Sequence, residues 1–128
     1  MSHSVVLSLG SNIGSRADNI SAALSALTRI GVVCSGVSPE VESPDDTGRG
    51  NAYINVAVEC HTDLSLQSLK SHISEIERQC GRVPSSKATG LMPIDIDIVI
   101  WDDEVVSRYD FERPYFKECM NQLLNAKQ

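Results

Sequence analysis

The sequence predicts an α+β fold in a single domain over residues 1–128: a four-stranded antiparallel sheet with two helices on one face, followed by a C-terminal helix. Three observations lead there. The hydrophobic period switches between two and 3.6 in the order β-α-β-β-α-β, the split βαβ arrangement. The first two helix-period segments each end at a glycine, Gly31 and Gly81. The last strand alternates Ile with Asp from Ile94 to Asp97, which gives it two chemically different faces.

Taken in order, Ser4 to Leu9 reads as the first strand and Gly10-Ser11-Asn12-Ile13-Gly14 as the polar turn after it. Ile20, Ala23, Leu24, Leu27 and Ile30 then fall at helical spacing, with Ser15 as N-cap and Asp18 three residues on. Val32 to Val41 reads as the second strand, and the Gly-, Pro- and Asp-rich stretch from Ser43 to Asn51 as a loop. Ala52 to Cys60 forms the third strand. Its Ile54, Val56, Val58 and Cys60 lie on one face, and Tyr53, Asn55, Ala57 and Glu59 on the other. Asp63 or Ser65 opens the second helix, whose stripe is Leu66, Leu69, Ile73, Ile76 and Cys80. Val83 to Pro93 has no usable period and reads as a mobile loop. Arg113 to Ala126, with Pro114 in the first turn and Phe116, Met120, Leu123 and Leu124 as a stripe, is the C-terminal helix. The sheet face opposite the helices is expected to stay open.

Composition narrows the function. With 41% apolar and 22% charged residues the chain is an ordinary globular domain. No apolar run reaches the roughly 18 residues that span a membrane, and the N-terminus runs into a strand instead of a signal sequence, so a cytoplasmic protein is expected. A net charge of −6 argues against a nucleic-acid surface. Cys34, Cys60, Cys80 and Cys119 lack C-x-x-C spacing, and His3, His61 and His72 are scattered, which disfavours zinc and disulfides.

The chemistry concentrates in Ile94-Asp95-Ile96-Asp97-Ile98-Val99-Ile100. In a strand the isoleucines share one side while Asp95 and Asp97 project together from the other, their Cα atoms about 6.5 Å apart. Alternation alone marks many solvated strand faces. Two neighbouring like charges on a poor strand former, however, favour a hard cation that both carboxylates can reach. Tyr53 and Asn55 have the parity to share that face. Arg82 and Lys87, on the loop that feeds the aspartates, can fold over phosphates held there.

These pieces together resemble the 6-hydroxymethyl-7,8-dihydropterin pyrophosphokinases. The resemblance rests on Leu9-Gly10-Ser11-Asn12-Ile13-Gly14, Tyr53-Ile54-Asn55 with Val56-Ala57-Val58, Ile76-Glu77 with Gly81-Arg82, and Asp95-Ile96-Asp97-Ile98, in family order over about 90 residues. It implies a ferredoxin-like fold and pyrophosphate transfer from ATP to a reduced pterin alcohol in folate biosynthesis, with release of AMP. It further implies two Mg²⁺ ions on Asp95 and Asp97, Asn55 reading the edge of the pterin and Tyr53 packing on its ring. Glu77, Arg82 and Ile98 would contact the nucleotide, Ile98 in the adenine pocket, and Arg82 and Lys87 would act with the two aspartates in catalysis. The partners implied are ATP and the pterin, with a monomer or weak dimer expected.

The chain departs from the family pattern where cations and a tryptophan usually precede the first aspartate. It has Ala88-Thr89-Gly90-Leu91-Met92-Pro93 there, and Pro84 replaces another expected arginine. Tyr115 stands at the expected histidine, and Asn121 and Leu123 fall where Arg-x-Phe follows, so Phe111, Tyr115 or Phe116 is left to supply the second stacking aromatic. The sequence ends at Gln128, where family members continue for a further few tens of residues. The altered lid keeps open a non-catalytic pterin- or nucleotide-binding module. An unrelated phosphotransferase with an Asp-x-Asp strand would explain the aspartates but not Tyr53-Ile54-Asn55.

Overall fold

A computed structural model describes residues 2–45 and 51–126, apart from the side chains of Lys87 and Ala126. Strand β1 (His3–Ser11) sits at the centre, antiparallel to both β4 (Tyr53–Thr62) and β5 (Asp95–Trp101). Its alternating aliphatic and small residues allow packing on both faces, and everything from Val5 to Ser11 is buried. Helices α1 (Arg16–Arg29) and α2 (Leu66–Gln79) cover one face. There Leu7, Leu9, Val56, Val58 and Ile96 meet Ala23, Leu27, Leu69, Ile73 and Ile76 in the main core.

The architecture is α+β with an antiparallel sheet, but six strands replace the expected four among the described residues. The order is β2-β4-β1-β5-β6, with β3 also paired to β4. The single strand expected over Val32 to Val41 divides into β2 (Val32–Val37) and β3 (Val41–Ser43). Pro39 is the physical reason, since it has no N–H to give to a ladder. Ser38 covers the break. Its N–H donates to the Ala57 carbonyl at 2.9 Å, and its hydroxyl accepts the Ala57 N–H at 2.9 Å. The sixth strand, β6 (Glu104–Val105), returns from β5 through Asp102 and Asp103, both at positive φ (48° and 69°), as a two-residue hairpin turn requires. The Asp102 carboxylate ties this turn to the start of β1, accepting from Ser4 N at 3.0 Å and lying 2.7 Å from His3 Nδ1.

The face opposite α1 and α2 is not open. Helix α5 (Pro114–Ala126) lies on part of it, and Phe116 and Cys119 pack with Val6, Ala57 and Val99 into a second core. Within α5, Cys119 is buried instead of the expected Leu124, which is exposed. The expected parity of the isoleucines also fails at one point. Val6 pairs with Ile100 while Leu7 pairs with Ile98, so Val99 is an extra residue, a bulge that sends Ile100 to the α5 side.

Two short helices, α3 (Ser86–Thr89) and α4 (Arg108–Phe111), fall where no period was visible. The first lies inside the stretch expected to be an unstructured loop, closed by the Ser86 hydroxyl accepting from Val83 N at 3.0 Å and by Gly90 at φ 73°. Of the two expected caps, Ser65 accepts from Ser68 N at 3.1 Å, whereas the Ser15 side chain makes no capping bond. Among the described residues no helix is long and apolar enough to cross a membrane.

Candidate active site

Helix α5 covers the part of the sheet that carries Val6, Ala57 and Val99. Over the other half of the same face the residues are small or polar, and a cavity of about 480 Å³ opens above them. The sheet register builds its floor: Gly10 lies opposite both Asn55 and Asp95, and Ser8 opposite Asp97. Gly10 is required here by space. A Cβ on it would stand 2.9 Å from Asn55 Oδ1 and 3.2 Å from Tyr53 Cδ1. Tyr53, Asn55, Arg82, Asp95 and Asp97 therefore converge on one cavity, as their parity and loop position predict.

Each side chain has a defined setting. Asn55 is buried, and its Nδ2 donates to the Val41 carbonyl and to Ser43 Oγ, both at 2.9 Å. Strand β3 thus takes both amide donors, and Oδ1 is the atom on the Gly10 side. Arg82 Nη1 donates to Glu77 Oε2 at 2.6 Å and to Asp95 Oδ1 at 3.1 Å. Glu77 Oε2 also accepts from Ile96 N at 2.8 Å, which fastens α2 to the start of β5. Burial raises the Glu77 carboxyl above its ordinary range, opposed by the Ile96 N–H and by Arg82. Asp97 has no such cation among the described residues. Burial, followed by repulsion from Asp95 and Asp110, pushes its carboxyl up to about 9.

A second cavity of about 410 Å³ adjoins the first and is lined by Ile98 together with Lys70, Ile73 and Val106. Glu77, Ile96, Asp97 and Asp110 line both cavities. The Asp95–Asp97 edge thus stands between an aromatic-walled compartment and an aliphatic-walled one. Two carboxylates on one strand face, one of them half-buried with no cation partner among the described residues, have the chemistry to hold a hard divalent ion. No group of three or more His, Cys, Asp or Glu side chains is placed to hold a metal by itself among the described residues.

A family model for 7,8-dihydro-6-hydroxymethylpterin-pyrophosphokinase matches residues 6–125. The chain belongs to this pyrophosphokinase family. It is similar to the 2-amino-4-hydroxy-6-hydroxymethyldihydropteridine pyrophosphokinase of Porphyromonas gingivalis, 35% identical over 100 residues that cover 75% of this chain and 67% of the relative. The protein of that name from Aquifex aeolicus is 34% identical over 104 residues, covering 80% of this chain and 63% of the relative. The folate synthesis bifunctional protein of Chlamydia trachomatis serovar D is 36% identical over 109 residues, which make up 80% of this chain but only 24% of that longer protein. The chain spans between 17% and 27% of the length of several such folate synthesis proteins from plants and Dictyostelium discoideum.

Phe116 is consumed by the second core and Phe111 packs against it, whereas Tyr115 lines the first cavity. Burial and the nearby aspartates hold the Tyr115 hydroxyl protonated well above its ordinary range. Tyr109 and Asp110 also line this cavity and were not expected from the sequence, because the four-residue helix that carries them has no period to read. Met92, at an expected cation position, is buried at 5% exposure. The Lys87 side chain lies outside the described residues. Five acidic residues and one basic residue, Arg82, are found among the described lining of the first cavity.

Proposed function

We propose that the chain transfers pyrophosphate from ATP to 6-hydroxymethyl-7,8-dihydropterin, releasing AMP, as a Mg²⁺-dependent step of folate biosynthesis. The observation that carries this reading is the meeting of two cavities at Asp97, because a two-substrate transfer needs both ligands to reach one charged edge. The aromatic-walled cavity suits a flat heterocycle between Tyr53 and Tyr115. Asn55 Oδ1 would accept from an N–H on its edge, a narrower role than donor and acceptor together, since Val41 and Ser43 already hold the amide hydrogens. The aliphatic wall with Ile98 suits an adenine base, and Glu77 stands at the passage between the two.

Asp95 and Asp97 would hold Mg²⁺ against the triphosphate. When bound, the metal neutralises charge on the phosphate oxygens and lowers the pKa of the attacking hydroxyl. The protein's own share is placement. The aspartate strand fixes where the β-phosphorus lies, and the pterin cavity aims the hydroxyl at it. Arg82, positioned by Glu77, supplies a guanidinium beside the charge that develops, and Lys87 is proposed to join it from α3. The path β2-β4-β1-β5 with α1 and α2 supports a ferredoxin-like core, extended by β3, β6 and α5. A cytoplasmic monomer or weak dimer without nucleic-acid partners completes the proposal, in keeping with the net charge of −6.

The test is an AMP-release assay with ATP, Mg²⁺ and the reduced pterin alcohol. Release that disappears in Asp95→Ala and Asp97→Ala is expected. Buried, apolar Met92 at a cation position favours one alternative, a binding module of the same descent. Pterin binding with no AMP at any enzyme concentration would establish that alternative.

A further inference from the structure

Asn12 belongs to the turn after β1, does not line either cavity, and is 1% exposed. Its carboxamide and its backbone N–H are nevertheless bonded to Gly90 and Met92, which line the first cavity, and to Asn51, two residues before Tyr53. Its Nδ2 donates to the Gly90 carbonyl at 2.6 Å and to the Asn51 carbonyl at 3.1 Å. Its Oδ1 accepts the Met92 N–H at 2.6 Å, and its own N–H donates to the Met92 carbonyl at 3.0 Å. One amide thus joins the root of the lid, Gly90 to Met92, to the chain that enters β4 immediately before Tyr53. Arg16 braces the same entry, its Nη1 donating to the Ala52 carbonyl at 2.9 Å. Of the two side chains that make these bonds, Asn12 and Arg16, only the Asn12 carboxamide is bonded to both walls. An aliphatic residue in its place would take this partner from the Gly90 carbonyl and the Met92 N–H, both on buried residues, and from the Asn51 carbonyl.

We propose that Asn12 is a positioning residue that sets the gap between the Tyr53 wall and the lid root, so that the two walls loosen and tighten as one body. A ligand that orders one wall then orders the other through this amide. The ligand part of the inference rests on the proposed function; the coupling of the walls does not.

Amide hydrogen exchange of the ligand-free protein tests the coupling. In Asn12→Ala, exchange at Met92 and over residues 51–53 should rise together by about tenfold, with β1 and the centre of β4 unchanged. Asn12→Asp separates the links and guards against a variant that does not fold. Ionised or protonated, an aspartate keeps an acceptor for Met92 N–H but offers at most one donor where the amide has two. Its Met92 should stay protected while residues 51–53 loosen. Loosening of one wall only in Asn12→Ala, or protection of residues 51–53 with Met92 freed in Asn12→Asp, would overturn the proposal. With ATP and Mg²⁺ as the probe, the wild type should gain protection on both walls and Asn12→Asp on the lid side alone; equal protection in the two proteins would also overturn it. Failure of ATP and Mg²⁺ to bind the wild type would count against the proposed function, and the ligand-free exchange would still decide the role of Asn12.

Discussion

Asp97 shows how a residue can be visible in the sequence while its chemistry is not. The Asp-x-Asp spacing places two carboxylates on one face, but only the fold shows that Arg82 serves Asp95 and that Asp97 is half-buried with no cation partner among the described residues. The folded-state pKa is raised from 3.8 to about 9, so the protonated form is the one that folding favours. Stability from this group is therefore fully present below about pH 4 and is lost as pH rises toward 9. Asp97→Asn, which cannot ionise, should melt higher than the wild type at pH 8, with the difference shrinking toward pH 4. Melting curves of both proteins across that range check this, and a constant difference would contradict it. Asn55 makes a second case, because both of its amide donors serve β3 and its Oδ1 is what is left for a ligand. Asn55→Ala should cost roughly 1–3 kcal/mol of stability in urea titrations, besides weakening pterin binding more than ATP binding.

At the scale of elements, the strands and helices with strong periodicity were legible, and the departures have local causes. Pro39 split one strand, the Val99 bulge reversed the parity of Ile100, and the Asp102-Asp103 turn added β6. None of these alters the hydrophobic period enough to be read beforehand. Capping divides in the same way, since Ser15 and Ser65 look equivalent in sequence and only Ser65 makes the bond. Ser65→Ala should destabilise by about 1 kcal/mol, whereas Ser15→Ala should stay within about 0.5 kcal/mol of the wild type. Paired denaturant titrations would measure both, and equal losses would show that the two caps do the same work.

For the whole molecule, the decisive feature is how much of the second sheet face α5 covers. Phe116 and Cys119 close the half over Val6 and Ala57 and leave the half over Ser8 and Gly10 as the cavity floor. The lid root is part of the same packing. Met92 is buried there, so Met92→Arg, which the family pattern alone would suggest as a gain of phosphate contact, should instead force a charge into the interior. A lowered melting temperature with no gain in AMP release is expected. A faster enzyme of unchanged stability would mean that the arginine reaches the phosphates.

The sequence by itself determined the α+β class, the existence and order of β1, α1, β4, α2 and β5, and the shared face of Tyr53, Asn55, Asp95 and Asp97, whereas β1 runs on through Gly10 and Ser11, which read as turn, and β4 runs on to Thr62. Those properties follow from hydrophobic period and side-chain parity, which are local. Only the tertiary structure decided that the face is half covered, that Tyr115 and not Phe116 looks into the cavity, and that Asp110 stands beside Asp97 at the junction of the two compartments. Those outcomes depend on where α4 and α5 dock, and docking is set by the fit of Phe116 and Cys119 against Val6, Ala57 and Val99 across the chain. No spacing within one segment records such a fit.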